Sequence, residues 1–201
     1  HDNDEIHAEA ARQLMLVQEY FPASAECYYL WALVCYMRNA LHPTLALLTI
    51  SHGIDGAFAP AHELLATVQS TVDSARGAGG AAPLLDARCS GPSPQLAAAM
   101  AVAFQRLDRD RDGVLGTAEL ATMVKLTNGQ PVPTAAIAQM IHAFGGQVRT
   151  ASGRLCAGWD LAALTRFYVA QTIQDPNETR QDLAKLGFDP HTLRSHPARA
   201  A

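Results

Sequence analysis

Asp108, Asp110, Asp112 and Glu119 place four carboxylates in one short stretch, DRDRDGVLGTAE, with Gly113 set between the third and the fourth. Alternate residues of a curling loop turn their side chains inward, so three aspartates spaced in this way can share one focus. Every side-chain donor aimed there is an oxygen, which is the ligand set of a hard cation and not of a soft or redox metal. Gly113 supplies a residue that takes the left-handed backbone conformation without penalty. Arg109 and Arg111, at the intervening positions, point outward and soften the local charge. No histidine lies in the stretch, so general acid–base chemistry has no second partner. Carboxylates held this close repel one another, and a bound cation offsets that repulsion.

The spacing resembles the EF-hand loop, D-x-D-x-D-G-x5-E, without a mismatch. The resemblance implies one calcium ion, held by the side chains of Asp108, Asp110, Asp112 and Glu119 and by the main-chain carbonyl of Val114. Gly116, with no ligand atom of its own, would leave its place to a water. A glutamate binding through both oxygens favours calcium over the smaller magnesium, with affinity on the order of 10⁻⁷–10⁻⁵ M.

Elements must hold such a loop at both ends. Ser93-Pro94 reads as a cap and first position of a helix whose stripe is Leu96, Met100, Ala103, Phe104 and Leu107. Glu119 opens the outgoing helix. Thr134 then starts another, reaching about Phe144. The segment that follows, GGQVRTASGRLCAGWDLAALTRFYVAQ, resembles a second EF-hand loop that has lost its donors. In that register Gly153 and Leu155 stand at the sixth and eighth positions, Leu155 pairs with Leu115, and Asp160 falls one residue too late to be a ligand. Trp159, Leu161, Leu164 and Phe167 are expected as core. Asp175-Pro176 begins a last helix and Gly187 ends it. The stretch from Glu178-Thr179 through Leu186-Gly187-Phe188-Asp189 is similar to the segment after the EF-hand pairs of mitochondrial Rho GTPases. That likeness implies that Phe188 and Leu193 fill the groove a calcium sensor offers to partners. The nucleotide motif G-x-x-x-x-G-K-[ST] is absent.

The first part of the chain carries no comparable chemistry. Asp2, Asn3 and Asp4 offer caps for a helix whose face is Ile6, Ala10, Leu14, Val17 and Phe21, and Pro22 stops it. Ser24 caps a second helix, apolar almost all round. Pro43 and Pro60 open a third and a fourth, with Gly53 closing the third. Trp31-Ala32-x-Val34 recurs as Leu65-Ala66-x-Val68 at an offset of 34, so this region resembles tetratricopeptide repeats. Repeats of that kind imply a protein-binding surface and stacking on further repeats. The expected organisation is all-α: a helical-hairpin, tetratricopeptide-like segment over 1–75, a flexible linker rich in Gly, Pro and Ser over 76–93, an EF-hand pair over 94–172, and a helical extension over 173–201 that packs on the pair.

Composition narrows the function. The 201 residues carry a net charge of −4, which argues against a nucleic-acid surface. No apolar run is long enough for membrane insertion. The four cysteines have no zinc spacing and read as reduced thiols, which favours a cytoplasmic setting, with a cytoskeletal or ciliary one as the alternative. The start, His1-Asp2-Asn3-Asp4, reads as a fragment or a processed chain. With no nucleophile motif, an enzyme is not expected. The leading expectation is a calcium-binding helical adaptor or scaffold for protein–protein interaction, with other proteins as partners in a larger assembly. The alternatives are a structural segment of such an assembly and the regulatory region of a larger enzyme.

Overall fold

The computed structural model describes residues 2–196, with the side chains of 2–4 and 7 left out. The caps expected at Asp2, Asn3 and Asp4, and the last residues of the extension, 197–201, therefore lie outside the described part. The chain forms two compact units, one of His1–Ser74 with Ala87–Ser90 and the other of Ala75–Asp86 with Gly91–Ala201.

The first unit contains α1 (Asp2–Tyr20), α2 (Ala25–Met37), α3 (Leu41–Ile54) and α4 (Ala59–Ala75). Ser24 caps α2 as its sequence suggests, accepting from the Cys27 N–H at 3.2 Å. Pro43 sits in the first turn of α3, where a missing N–H costs no helix bond. That helix runs past Gly53 to Ile54 and is closed by Asp55, so Gly53 is not its cap. Helices α2 and α3 are stitched by the Ser51 hydroxyl, which donates to the Ala25 carbonyl at 2.7 Å in a buried setting. Tyr29 meets Phe58 edge to face, with ring centroids 5.5 Å apart. Helix α1 lies on α2 through Leu14 and Gln18, and the Gln18 amide donates to the Tyr28 hydroxyl. Of the α1 face expected to be buried, only Ala10 and Leu14 are half-buried. Ile6, Val17 and Phe21 are 61%, 44% and 62% exposed. Of the two small residues in the repeat-like pattern, Ala32 is fully buried and Ala66 is exposed, so they do not pack alike.

The second unit is built on α5 (Pro94–Leu107), α6 (Thr117–Asn128), α7 (Thr134–Phe144), a hairpin of β1 (Gly146–Arg149) and β2 (Leu155–Gly158), α8 (Leu161–Gln174) and α9 (Pro176–Lys185). The described residues are thus mostly helical, and the small antiparallel sheet is an element that the all-α expectation lacked. Ser93 caps α5, accepting from Leu96 N–H at 3.0 Å, and Asp175 caps α9, accepting from Asn177 and Glu178. One core runs through the unit: Leu96, Met100 and Phe104 of α5, Leu120 and Met123 of α6, Ile137 of α7, Trp159, Leu164 and Tyr168 around α8, and Leu183 of α9. Leu161, expected there too, is 40% exposed.

The span expected as a flexible linker is held down in part. Leu84 is fully buried in that core, its N–H bonded to the Ala75 carbonyl at 2.7 Å, and Ser93 N–H returns to the Leu84 carbonyl at 2.9 Å. Leu84 and Leu85, both buried, anchor this glycine- and proline-rich stretch, each contributing about 1.5–3 kcal/mol on burial.

After α9 the chain turns at Gly187 (φ +89°), and Phe188 and Ser195 bridge in antiparallel fashion. Phe188 and Leu193 are buried in the common core. Arg106, near the end of α5, clasps this segment. Its guanidinium donates to the carbonyls of Leu186 (3.2 Å) and His196 (3.4 Å) and lies 5.2 Å from the Phe188 ring centroid. Arg180 joins the carbonyls of Pro190 and Ala82, and partial burial lowers its pKa.

Candidate metal centre

Asp108 ends α5 as its C-cap, and Gly116 precedes α6, so the acidic loop is fixed at both ends by packed helices. Between them the backbone turns through two left-handed residues, Gly113 (φ +85°) and Arg111 (φ +58°). The first was legible as a glycine; the second was not, since arginine has no preference for that region. A Cβ on Gly113 would meet nothing within 4 Å, so backbone conformation, not space, calls for glycine there.

The loop brings three of its predicted ligands together. Asp108, Asp110 and Asp112 each aim a carboxylate oxygen so that the three lie within 4.8 Å of one another, a cluster that could hold a metal ion. Main-chain N–H groups shape the cluster. Asp108 accepts from Asp112 (3.1 Å) and Gly113 (3.0 Å), Asp110 accepts from Asp112 (3.2 Å), and Asp112 accepts from Val114 (2.8 Å). Each carboxylate oxygen carries two lone pairs, so these bonds orient the groups while leaving acceptor capacity toward the focus. Asp108 is 9% exposed. Arg154 approaches Asp112 at 4.0 Å, but its side chain is 73% exposed and screened by water, so it neutralises little.

Glu119 stands apart from that cluster. Its two oxygens accept from Gly116 N–H (2.9 Å) and Arg109 N–H (2.8 Å), the first capping α6 and the second drawing in the start of the loop. Glu119 thereby joins the two ends of the loop. Val114 is buried, 1% exposed.

The partner segment differs from its expected register. Leu155 does not meet Leu115. It pairs with Arg149 inside the hairpin and is 56% exposed. Leu115 bridges Trp159, with N–H to carbonyl bonds of 2.7 and 3.0 Å in the two directions. The shift is four residues, and burial explains it, because Trp159 is fully enclosed and its indole N–H donates to the Met140 carbonyl at 3.2 Å. Gly153 has the left-handed conformation (φ +89°) that suggested a metal loop, but it serves the hairpin turn, where Thr150 N–H meets Arg154 carbonyl at 2.8 Å. Asp160 caps α8, accepting from Ala163 N–H at 2.7 Å.

Two determinants had no signal in sequence spacing. The Ala151 N–H at the hairpin tip donates to the Asp112 carbonyl at 2.7 Å. A Cβ on Gly158 would strike the Leu115 carbonyl and the Val114 side chain, both at 2.6 Å, so only glycine lets the two strands approach.

Among the described residues, no second cluster of metal-ligating side chains forms. Burial raises the pKa of the Cys27 and Cys35 thiols, with Arg38 partly opposing it at Cys35, and a raised thiol is a poor nucleophile. Among the described residues, no helix is long and apolar enough to cross a membrane. No family model, curated protein or solved structure matches the chain.

Proposed function

We propose that the chain is a calcium-binding helical adaptor, with one ion held in the 108–119 loop and protein partners engaged by its helices. The observation that carries the reading is the convergence of the Asp108, Asp110 and Asp112 carboxylates, in a loop closed by Glu119. A hard, oxygen-only focus of that charge suits calcium. Five ligands are assigned: the four carboxylates, Glu119 moving onto the ion, and the Val114 carbonyl.

In this reading the second unit is an EF-hand pair whose second loop has become a β-hairpin. The hairpin delivers Trp159 to Leu115, as a second loop would, and supplies no ligand. The role of the ion is then chiefly that of a staple. Phe188 and Leu193 already occupy the core between the helices, which leaves a sensor little apolar surface to release. The alternative, a structural segment of a larger assembly, draws on the apolar side chains that α1 leaves in solvent.

Calorimetric titration with calcium chloride tests the reading, on the wild-type chain and on Glu119→Gln. About one site per chain is expected, abolished or greatly weakened by the substitution. An absence of heat with the wild type, or two strong sites, would overturn it.

A further inference from the structure

Helix α1 presents an apolar face with no neighbour in its own unit. Leu16, Tyr20 and Phe21 are 52%, 78% and 62% exposed, alongside Ile6 and Val17. Phe21 continues the helical turn, its N–H bonded to the Val17 carbonyl at 2.9 Å. At the α-helical rotation per residue these five side chains fall within an arc of about 140°, which Glu9 and Gln13 enter from the preceding turns, while Met15, 54% exposed, lies outside it; the uninterrupted patch is Leu16, Val17, Tyr20 and Phe21 in the last turns. The side carrying Leu14 and Gln18 is the one that packs on α2. Aromatic residues this exposed, grouped on one face, mark an interaction surface.

Charge selects what covers it. Glu5 and Glu19, both exposed, flank the apolar arc on its Leu16 side, Glu9 lies within the arc, and among the described side chains of α1 only Arg12 is basic. Arg12 is already engaged with Glu9 at 3.3 Å. The imbalance extends to the whole unit, which holds nine acidic and three basic side chains, whereas the rest of the chain holds ten acidic and twelve basic. A second copy docked on this face would oppose acid to acid, which costs binding energy. An anionic membrane surface would be repelled as well.

We propose that this face of α1 docks a basic amphipathic helix of a partner protein. Its apolar side covers Leu16, Val17, Tyr20 and Phe21, and its lysines or arginines meet Glu5 and Glu19. The docking deepens the adaptor reading, naming the kind of partner, and it needs no metal.

The test uses the whole chain with chelator present, so that its failure is separate from any failure to bind calcium. The probe is a fluorescein-labelled synthetic leucine–lysine amphipathic helix, read by fluorescence anisotropy, with a leucine–glutamate peptide of the same pattern as control. Saturable binding of the lysine peptide is expected, and binding of the glutamate peptide weaker by about tenfold or more. Replacing Leu16 and Tyr20 by serine should weaken the lysine peptide by about tenfold with helicity unchanged, since both side chains are already in solvent. Glu5→Lys with Glu19→Lys, which leaves the apolar side chains intact, should weaken it by about threefold or more and abolish its salt dependence. Equal binding of the two peptides, or binding untouched by these variants, would overturn the proposal. So would a dimer in sedimentation, or co-sedimentation with vesicles of anionic lipid, that the serine variant abolishes.

Discussion

The acidic loop and the β-hairpin do the same mechanical task by opposite means. Each joins two packed helices, and each delivers one residue, Leu115 or Trp159, to a shared pair of main-chain hydrogen bonds. The hairpin pairs its own strands over Gly146–Arg149 and Leu155–Gly158, Thr150 closes the turn, and the Ala151 N–H at its tip reaches the loop. The loop instead turns carboxylates toward one another and relies on N–H groups to hold them. One connector pairs its own backbone; the other gathers carboxylates that could hold a cation, and the difference lies in where negative charge is gathered, not in the helices around it.

The largest effect should come from the residue at their junction. Trp159→Ala empties a fully buried site and should cost about 3–5 kcal/mol in denaturant unfolding. Leu155→Ala, at the position expected from sequence to make that junction, should stay within about 0.5 kcal/mol. Equal losses would restore the earlier register. Gly158→Ala comes next. Its methyl group would press on the Leu115 carbonyl, and overpacking of this kind costs about 1–3 kcal/mol.

Metal sharpens the contrast between the connectors. With calcium at about 100 times its dissociation constant, the wild type should gain about 2.7 kcal/mol of stability. Asp108→Asn should remove most of that gain, while Thr150→Ala in the hairpin should leave the gain unchanged. Thermal melts with calcium and with chelator read both. A stabilisation that survives Asp108→Asn would place the ion elsewhere.

The smallest effect concerns an aspartate that needs no cation. Asp189 accepts from the N–H and hydroxyl of Thr192 and from His191 N–H, and these bonds hold its pKa below the ordinary carboxylate value. A carboxyl whose folded pKa is depressed contributes stability that is full above its unfolded pKa, about 3.9, and is lost as pH falls through the folded value. Thr192→Val should raise the Asp189 pKa in an NMR titration and narrow that window. An unmoved titration would show that the hydroxyl contributes nothing.

What was legible in the sequence was local chemistry. Ser24, Ser93 and Asp175 cap the helices they precede, because capping depends on a side chain and the next few N–H groups. The aspartate cluster was legible for the same reason. Register across the unit was not, since Gly153 has the φ of a metal loop and only burial distinguishes Leu155 from Trp159 as the bridging residue. Nor was the hairpin, whose four-residue strands are too short to show alternation. The apolar stripe expected on α1 is divided, since Ala10 and Leu14 are half-buried while Ile6, Val17 and Phe21 stand in solvent, and periodicity says nothing of what covers a face.

Arg106 gives the molecule a remote gauge. It stands two residues ahead of Asp108 and bonds the carbonyls of Leu186 and His196, so one side chain ties the last turn of α5 to a segment eighty residues onward, and a twist there should be felt at the far end. An environment-sensitive dye on a cysteine substituted for the exposed Ser195 would read that twist in real time, and Arg106→Gln would cut the cable. A dye signal indifferent to added calcium would mean the gauge is slack.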